Sequence, residues 1–302
     1  MTENKTGRYV NKEMEKLIGK EFKVLDKGMI RVVDYMGGDE SIVQSARISY
    51  ASGIKTEIED KRLIDFLLRH RHTSPFEMCE IKLHVKMPMF VARQWIRHRT
   101  ANVNEISARY SVLNSEFFIP ELEDMSTQSS NQKQGRSKKL EESRAIEIRN
   151  KMTSLSQGAY DFYNEILEED NLTRELARGI LPVNMYTEIY WKIDLHNLLH
   201  FLSLRSKVGA QKEIRDYANV ILNEIVKVWV PMIYDAFMKY NMNAVTFYAK
   251  DMEAISKIID SGKLQELIAE LKTSKKGEDR EFKEKLESVL IAAKNIKENS
   301  EK

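Results

Sequence analysis

Residues 97–110, RHRTANVNEISARY, concentrate side chains that could bind an anionic or heteroaromatic ligand. Arg97 and Arg99 offer forked guanidinium donors, which suit phosphates and planar oxygen acceptors. Glu105 is an acceptor, and Ser107 adds a small hydroxyl. A nucleotide, which is anionic at one end and heteroaromatic at the other, could use all of these groups. The alternative is a solvated loop with ordinary surface ion pairs.

Two histidines on one predicted helix raise the question of a metal site. His196 and His200 are four residues apart and therefore share a helix face. Such a pair can ligate a metal ion, but no HExxH glutamate accompanies it and no third ligand is evident nearby. We therefore predict no metal site; the alternative for both residues is a packed or hydrogen-bonded histidine.

Two arginines lie in otherwise apolar segments, Arg178 in LARGILP and Arg205 in LHNLLHFLSLR. A buried arginine needs an anionic or polar partner, so each indicates either a ligand or a structural ion pair. The chain has neither GxGxxG after a strand nor GxxxxGK[ST], so a nucleotide would bind through side chains and helix ends.

The single cysteine, Cys79, lies beside a predicted strand and is interpreted as a small core hydrophobe, not a nucleophile.

The composition narrows the class of protein. Lys plus Arg number 48 against 46 Asp plus Glu, a net charge of +2, which gives no overall attraction to nucleic acid or anionic membranes. One cysteine allows no disulfide within the chain and fits a reducing compartment. The beginning of the chain lacks the apolar core of a signal peptide, and no apolar run reaches membrane-spanning length. We therefore predict a cytoplasmic protein.

Apolar periodicity predicts an α+β fold. FKVLD, MIRVVDYM, EIKLHVK and residues 183–193 show strand patterns, and the last two alternate apolar with polar residues. Helical spacing follows Pro88, covers much of 142–166 and 210–240, and begins again after Asp194, a suitable N-cap. We expect one twisted, mainly antiparallel sheet with packed helices, plus a C-terminal helical extension.

Composition shifts divide the chain. Residues 1–21 are polar and are predicted to be a peripheral N-terminal segment, and 22–245 form the main domain. Within it, 126–141 is polar and of low complexity, which indicates a mobile surface insertion. In 246–302, apolar residues recur at helical spacing among many charges, as expected of a charged helical extension.

The chain resembles the flavin-dependent thymidylate synthases. RHR followed by seven residues and a serine, here Ser107, matches the family signature. Other matching segments occur in the family's order: ARISY at 46–50, HTSPFE at 72–77, VARQWIRHR at 91–99, LPVNMYT at 181–187, HFLSLR at 200–205 and AQKEIR at 210–215. The similarity spans roughly residues 22–240 but leaves out 126–141 and the tail.

This resemblance implies the methylation of deoxyuridine monophosphate (dUMP) at C5 to thymidine monophosphate (dTMP). The carbon would come from 5,10-methylenetetrahydrofolate and the hydride from FAD reduced by NADPH. The family acts without a nucleophilic cysteine, in agreement with the interpretation of Cys79. Its members form homotetramers with shared active sites, so a homotetramer is expected.

The resemblance also implies roles for individual positions. Arg205 matches the arginine that polarises the uracil ring and is the expected catalytic residue. The positions expected to bind dUMP are Gln94, Trp95, Ile96, Arg97, Glu105, Ile106, Ser107, Ala108, Arg109, Arg178 and Arg205. The positions expected to bind FAD are Ser49, Ser74, Glu77, Arg97, His98, Arg99, Glu105, Asp194, Leu195, His196 and His200. No metal is expected.

Two positions depart from the family pattern. Asn102 stands where serine is usual, which affects the contacts of the loop, and Gly209 stands where some relatives have a histidine beside the flavin.

The sequence leaves two alternative functions besides the synthase. A nucleic-acid-binding protein could use the basic stretches at 69–72, 97–99 and 136–139, but its charge should be more basic. A metal-dependent nucleotide hydrolase would need a histidine and carboxylate cluster that the sequence does not supply.

Overall fold

The alternating apolar residues of 80–88 and 186–194 build the centre of an antiparallel sheet. The computed structural model describes residues 10–48, 56–130, 135–274 and 277–300. The strands are β1 (Glu21–Val24), β2 (Gly28–Met36), β3 (Glu80–Pro88), β4 (Asn102–Glu105), β5 (Ser126–Gln128), β6 (Arg136–Lys139) and β7 (Tyr186–Asp194). Five of them form one sheet in the order β1-β2-β3-β7-β4, with antiparallel neighbours. The predicted mainly antiparallel sheet is confirmed.

Strand β3 shows why the alternation predicted a half-buried strand. Leu83 and Val85 are fully buried and lie opposite Trp191 and Ile189 of β7. Edge strand β4, which comes from the RHRTANVNEISARY stretch, pairs with the other side of β7, and all four of its residues are exposed. The polar stretch is thus anchored to the sheet by its backbone while its side chains remain at the surface.

Helices pack against the sheet, and several of the predicted site residues lie on them. Up to residue 237 they are α1 (Lys12–Glu15), α2 (Asp39–Ile48), α3 (Glu57–Arg69), α4 (Ser74–Glu77), α5 (Met89–Trp95), α6 (Glu142–Glu168), α7 (Arg174–Ala177), α8 (Leu195–Arg205), α9 (Lys212–Val220), α10 (Lys227–Trp229) and α11 (Pro231–Phe237). A π-helical segment, Ile221–Val226, joins α9 to α10. As predicted, Asp194 caps α8, because its carboxylate accepts from the Asn197 amide at 2.9 Å.

The core lies between the sheet and helices α5, α8 and α9. Trp95 of α5 contacts Trp191 of β7 and Phe201 of α8, with ring centroids 5.1 and 4.7 Å away. All three rings are fully buried, as is Tyr217 of α9. This aromatic cluster fixes the relative positions of the three helices, since a buried aromatic side chain contributes a large apolar area.

The described part of the N-terminal segment, residues 10–21, is mostly exposed but contacts the main core, and its peripheral character stays a prediction. Met14 is fully buried in the main core. The Asn11 side-chain amide donates to the carbonyl oxygens of Val228 and Trp229, each at 3.1 Å. A few apolar residues among many charged ones gave too weak a pattern to indicate this attachment.

The polar segment 126–141 contains regular structure that its composition did not indicate. Strands β5 and β6 pair antiparallel, with Ser126 opposite Lys139 and Gln128 opposite Arg136. We call this pair of strands the hairpin; residues 131–134 lie outside the described part of the chain. A two-stranded ribbon with polar side chains shows no apolar alternation, so composition could not reveal it. The mobility of this segment stays a prediction.

Residues 244–302 form a separate compact unit, following the first unit of residues 1–243. Its helices are α12 (Ala249–Ile258), α13 (Ser261–Leu271) and α14 (Gly277–Ser300), so the predicted helical character of this region is confirmed. Leu264, Ile268 and Val289 form its small core. Among the residues described in either unit, no helix has the length and apolar character needed to cross a bilayer.

Candidate active site

Arg205, the last residue of α8, is held by two acceptors on the segment that contains α5. Its Nε donates to Nε2 of His98 at 3.0 Å, and its Nη2 donates to the carbonyl oxygen of Gln94 at 3.5 Å. Because Nε2 of His98 accepts, the ring is neutral and carries its proton on Nδ1. Burial, followed by the nearby Arg205 and His200, lowers the pKa of His98 to about 4. The guanidinium is therefore oriented by a neutral imidazole.

A cavity of about 570 Å³, here called the arginine cavity, lies beside Arg205. Its volume is within the range of roughly 300–1,000 Å³ that is typical of small-molecule sites. The lining residues come from α5, the end of α8, the loop before α9 and the hairpin: Gln94, Ser126, Thr127, Gln128, Gly135, Arg136, Arg205, Gly209, Ala210 and Gln211. It therefore contains two of the positions predicted to bind the nucleotide, Gln94 and Arg205.

A buried carboxylate organises the wall of this cavity. Glu213, on the first turn of α9, is 2% exposed. One of its oxygens is paired with the guanidinium of Arg136, and the other accepts from Nε2 of Gln211 at 2.8 Å. Oε1 of Gln211 in turn accepts from Nε2 of Gln94 at 2.6 Å. A buried charge requires such partners, so these contacts fix the four side chains relative to one another.

The RHR segment and strand β4 present the other predicted binding residues at the surface. Arg97 and Arg99 are exposed. Glu105, at the end of β4, accepts from the Thr187 hydroxyl at 2.7 Å, and the next amide, of Ile106, donates to the carbonyl oxygen of Glu188 at 3.0 Å. Glu105 is therefore held at a defined place on the sheet edge, and the other side chains of β4 are exposed.

The turn after β4 connects this segment to Arg109 and Arg178, two of the arginines predicted to bind dUMP. The Ser107 hydroxyl accepts from the Arg109 amide at 3.3 Å. The Arg109 guanidinium forms an ion pair with Glu175 of α7 at 3.1 Å. Arg178 directly follows α7 and is exposed. The Arg109–Glu175 contact thus joins α7, with Arg178 at its end, to the turn that contains Ser107.

Two of the eleven predicted flavin-binding residues line a second cavity of about 300 Å³, here called the histidine cavity. His196 and His200 of α8 line it together with His72 and Thr73, which precede α4. Apolar lining comes from residues such as Phe76, Leu199 and Phe237. Ser74 and Glu77 are exposed on α4, which packs on α8. Ser49 lies outside the described residues.

For Trp95 and Leu195 the structure contradicts a side-chain contact with a ligand. Both side chains are fully buried in the core. The Trp95 carbonyl oxygen accepts from the His98 amide at 3.0 Å, and the Leu195 amide donates to the Cys79 carbonyl oxygen at 2.8 Å. Successive residues of a helix point about 100° apart, so a neighbour of a ligand-facing residue points into the core. Ala108 is also buried, at 9% exposure, although it lies in the predicted binding segment.

Other groups proposed from the sequence have structural partners. Both carboxylate oxygens of Asp194 accept hydrogen bonds from Asn197. One accepts from the backbone N–H, and the other accepts from the side-chain Nδ2 at 2.7 Å. Cys79 is fully buried, as predicted, and burial, with Asp39 nearby, raises the pKa of its thiol to about 12. Within the described residues, no three histidine, cysteine or carboxylate side chains are grouped so that they could hold a metal ion.

Sequence reasoning missed Arg136, Gln211 and Glu213 as members of the site. Arg136 falls in the polar segment that the family resemblance leaves out, and the other two fall in a matching segment without an assigned role. A signal was present for Glu213, because it takes an inward-facing position on a strongly amphipathic helix. A carboxylate at such a position requires a buried partner, but its identity could come only from the fold.

Comparisons with known proteins agree on one family. Residues 31–232 match the family model described as thymidylate synthase complementing protein. The flavin-dependent thymidylate synthase of Ehrlichia ruminantium (strain Gardel) is 54% identical over 254 residues, which are 84% of this chain and 85% of that protein. The flavin-dependent thymidylate synthase of Treponema denticola is 52% identical over 274 residues, which are 89% of this chain and 98% of that protein.

A solved structure shows the same fold. The UMP/dUMP methylase PolB from Streptomyces cacaoi, bound with 5-Br dUMP, matches with a TM-score of 0.66 and 26% sequence identity. The match covers 73% of this chain and 98% of that chain. The shared fold therefore includes most of the first unit.

Proposed function

Because the chain belongs to the flavin-dependent thymidylate synthase family, we propose that the arginine cavity and the histidine cavity are the nucleotide and flavin parts of one active site. The enzyme is a methyltransferase that converts dUMP to dTMP by reductive methylation at C5. Methylenetetrahydrofolate is the carbon donor, and NADPH reduces the FAD cofactor.

The contact between Arg205 and His98 is the observation that carries the assignment of the two cavities. Arg205 lines the arginine cavity, and His98 lies between it and His200, which lines the histidine cavity. The ring centroids of His98 and His200 are 6.2 Å apart. A nucleotide beside Arg205 and a flavin beside His200 would therefore be held by adjoining side chains, as a transfer between the two ligands requires.

Arg205 has the chemical properties needed to activate the uracil ring. Methylation at C5 requires electron density to move toward that carbon, and a positive charge near N3 and its carbonyl oxygens stabilises the developing negative charge. A guanidinium does this without a change of protonation, since it stays charged at neutral pH. The two hydrogen bonds from Arg205 to His98 and Gln94 fix its orientation before the nucleotide binds.

The histidine cavity has the donor set that a flavin needs. Apolar side chains suit a planar heteroaromatic ring, and the imidazoles of His72, His196 and His200 can hydrogen-bond or stack. The exposed guanidinium groups of Arg97 and Arg99 suit the pyrophosphate. When bound in reduced form, FAD supplies the hydride for the methyl group. The contribution of the chain is to bind and orient both ligands and to exclude water.

The state of Cys79 supports a route without covalent attack on the uracil ring. A thiolate would be needed as the nucleophile, but burial keeps this thiol protonated far above neutral pH. Its Sγ donates to the Gly38 carbonyl oxygen at 3.7 Å and faces the core. Activation of the ring by Arg205 is the alternative that the site offers.

The exposure of many binding residues supports assembly with further copies of the chain. Arg97, Arg99, Arg109 and Arg178 are exposed. An active site that transfers a hydride needs cover from water, and a neighbouring subunit would provide it. We therefore propose the homotetramer with shared active sites that the family resemblance implies. Light scattering coupled to size exclusion would contradict this if a monomer turned over at the full rate. The cytoplasmic location stays a prediction.

Flavin spectroscopy followed by product detection tests the function. The purified protein is supplied with FAD, separated from excess flavin, and measured before and after anaerobic addition of NADPH. We expect a bound flavin band that bleaches, and bleaches faster with dUMP present. Radiolabelled methylenetetrahydrofolate should then give labelled dTMP. A protein that retains no flavin, or that bleaches but forms no dTMP, would refute the proposal.

A further inference from the structure

The hairpin and its described connection supply half of the residues that line the arginine cavity. Five of the ten lining residues belong to its strands or to its described connection: Ser126, Thr127, Gln128, Gly135 and Arg136. The family resemblance leaves this segment out, so it assigns no role to these residues. Their position opposite Gln94 and Arg205 nevertheless makes them part of the space in which we place the nucleotide.

Arg136 connects the hairpin to the body of the enzyme. This guanidinium is paired with the buried carboxylate of Glu213 and also approaches the carboxylate of Asp124 at 3.4 Å. Asp124, just before β5, forms a second ion pair with Lys212 of α9 at 3.1 Å. The partners have unequal exposure, because the side chain of Glu213 is 3% accessible and that of Arg136 is 38% accessible. Salt screens a half-buried pair of this kind less than a surface pair.

The same contacts connect the hairpin to Arg205. Glu213 accepts from Gln211, Gln211 accepts from Gln94, and the Gln94 carbonyl oxygen accepts from Arg205. A displaced hairpin would therefore leave Glu213 with one partner fewer and loosen the glutamines that line the cavity. The Arg136–Glu213 ion pair is therefore the contact that links the hairpin to the hydrogen bonds leading to Arg205.

We propose that the hairpin is a wall of the dUMP-binding cleft and that Arg136 is a positioning residue, which holds this wall through Glu213. The inference rests on the proposed function, because it takes dUMP as the ligand of the arginine cavity. Arg136 acts on the shape of the cleft and on the side chains around Gln94, so its loss should weaken nucleotide binding more than it slows turnover at saturation. FAD binding should not change, because the described hairpin residues do not line the histidine cavity.

A bulky substitution on the hairpin tests whether the wall faces the nucleotide. Thr127 and Lys138 are both exposed and lie on opposite strands, but only Thr127 lines the cavity. Thr127→Trp and Lys138→Trp therefore add the same indole to the same element. We expect Thr127→Trp to weaken dUMP binding at least tenfold in titration calorimetry of the FAD-loaded enzyme, whereas Lys138→Trp stays within about twofold of the unmodified enzyme.

Substitutions at the ion pair test the positioning role of Arg136. Arg136→Met should raise the KM for dUMP about tenfold or more while kcat changes less than threefold, and Arg136→Lys should recover most of the loss because it keeps the charge. The double variant Glu213→Gln/Arg136→Met should have the same KM for dUMP as Arg136→Met alone, because the ion pair between Arg136 and Glu213 is already lost in the single variant. Arg144→Met, which removes an arginine from an exposed pair with Glu147, is the matched control and should leave KM unchanged.

The outcomes separate the two proposals. If the unmodified enzyme binds no dUMP and forms no dTMP, the proposed function fails. If the unmodified enzyme binds dUMP and the Thr127→Trp variant binds it equally well, the proposal that the hairpin is a wall of the dUMP-binding cleft is refuted, but the proposed function is not. An unchanged KM in folded Arg136→Met would remove the positioning role. Should Arg136→Met fail to fold, the double variant, in which no buried charge remains unpaired, decides the same point.

Discussion

The hydrogen bond between Arg205 and His98 leads to a prediction about turnover. His98→Leu removes the acceptor of the Arg205 Nε–H and leaves this donor partly buried without its partner. His98→Gln is the matched control, because its amide oxygen can take a position near that of Nε2. We expect the leucine variant to lose turnover and the glutamine variant to retain most of it.

The expected size of the effect follows from the type of bond. The donor is a charged guanidinium, and the donor–acceptor distance is 3.0 Å. A hydrogen bond to a charged group contributes roughly 1.5–3 kcal/mol, which corresponds to about 10- to 150-fold in rate if the bond is needed in the transition state. The contact with the Gln94 carbonyl oxygen, at 3.5 Å, is longer and should not replace it.

Activity has to be expressed per bound flavin, because the family resemblance also places His98 beside FAD. Flavin content is read from the visible spectrum, and kcat for dTMP formation is measured with saturating dUMP and folate. A kcat per flavin in His98→Leu that lies within about threefold of the unmodified enzyme would refute the orienting role.

The charge of His98 can be checked separately by NMR. Its ring should titrate near pH 4, well below the ordinary value of about 6.5, because burial and the neighbouring Arg205 disfavour the protonated form. Since the pKa is lower in the folded chain, protonation opposes folding as the pH falls from about 6.5 toward 4, and the stabilisation from this group is fully present above 6.5. A midpoint near 6.5 in the folded enzyme would contradict this environment.

Four further predictions concern single residues. Arg178→Ala should weaken dUMP binding about tenfold or more, and unchanged affinity in titration calorimetry would remove its assignment. Arg205→Ala should lower kcat by about 10²–10³, and normal dTMP formation would exclude a catalytic role. Cys79→Ala should remain active, whereas complete loss in a folded variant would reopen covalent catalysis. Burial raises the pKa of Asp39 to about 6, above its unfolded value, so its contribution to stability is present below about pH 4 and is lost as the pH rises through 6. The difference in unfolding free energy between Asp39→Asn and the unmodified enzyme should therefore change by about 2 kcal/mol between pH 4 and 7 in urea titrations, and a constant difference would contradict this.

The sheet could be predicted because its central strands carry alternating side chains. Ile81, Leu83 and Val85 face the core, while Lys82 and Lys86 are only partly buried, and this alternation requires no tertiary information. Edge strand β4 and the hairpin have no buried face and were therefore not recognised. Their pairing depends on backbone hydrogen bonds, which cannot be predicted from the composition of the side chains.

The candidate site could be predicted as a set of positions but not as a geometry. The family resemblance placed Arg205, His98 and Gln94 in one site, and the structure brings these three residues together. A linear motif also includes residues that complete the helix and face the core, as Trp95 and Leu195 do. Conversely, Glu213 enters the site only because α9 packs beside the hairpin, a relation that depends on long-range contacts.

Helix α8 belongs to both cavities and so sets the spacing between the two ligands. His196 and His200 line one cavity, while Arg205 at its end lines the other. The five residues from His200 to Arg205 correspond to about 7.5 Å along the helix axis. Inserting or deleting a single residue between them would rotate one set of side chains by about 100° relative to the other. This stretch should therefore tolerate substitutions on its solvent side but no change of length, and a library of one-residue insertions should be depleted of active members there.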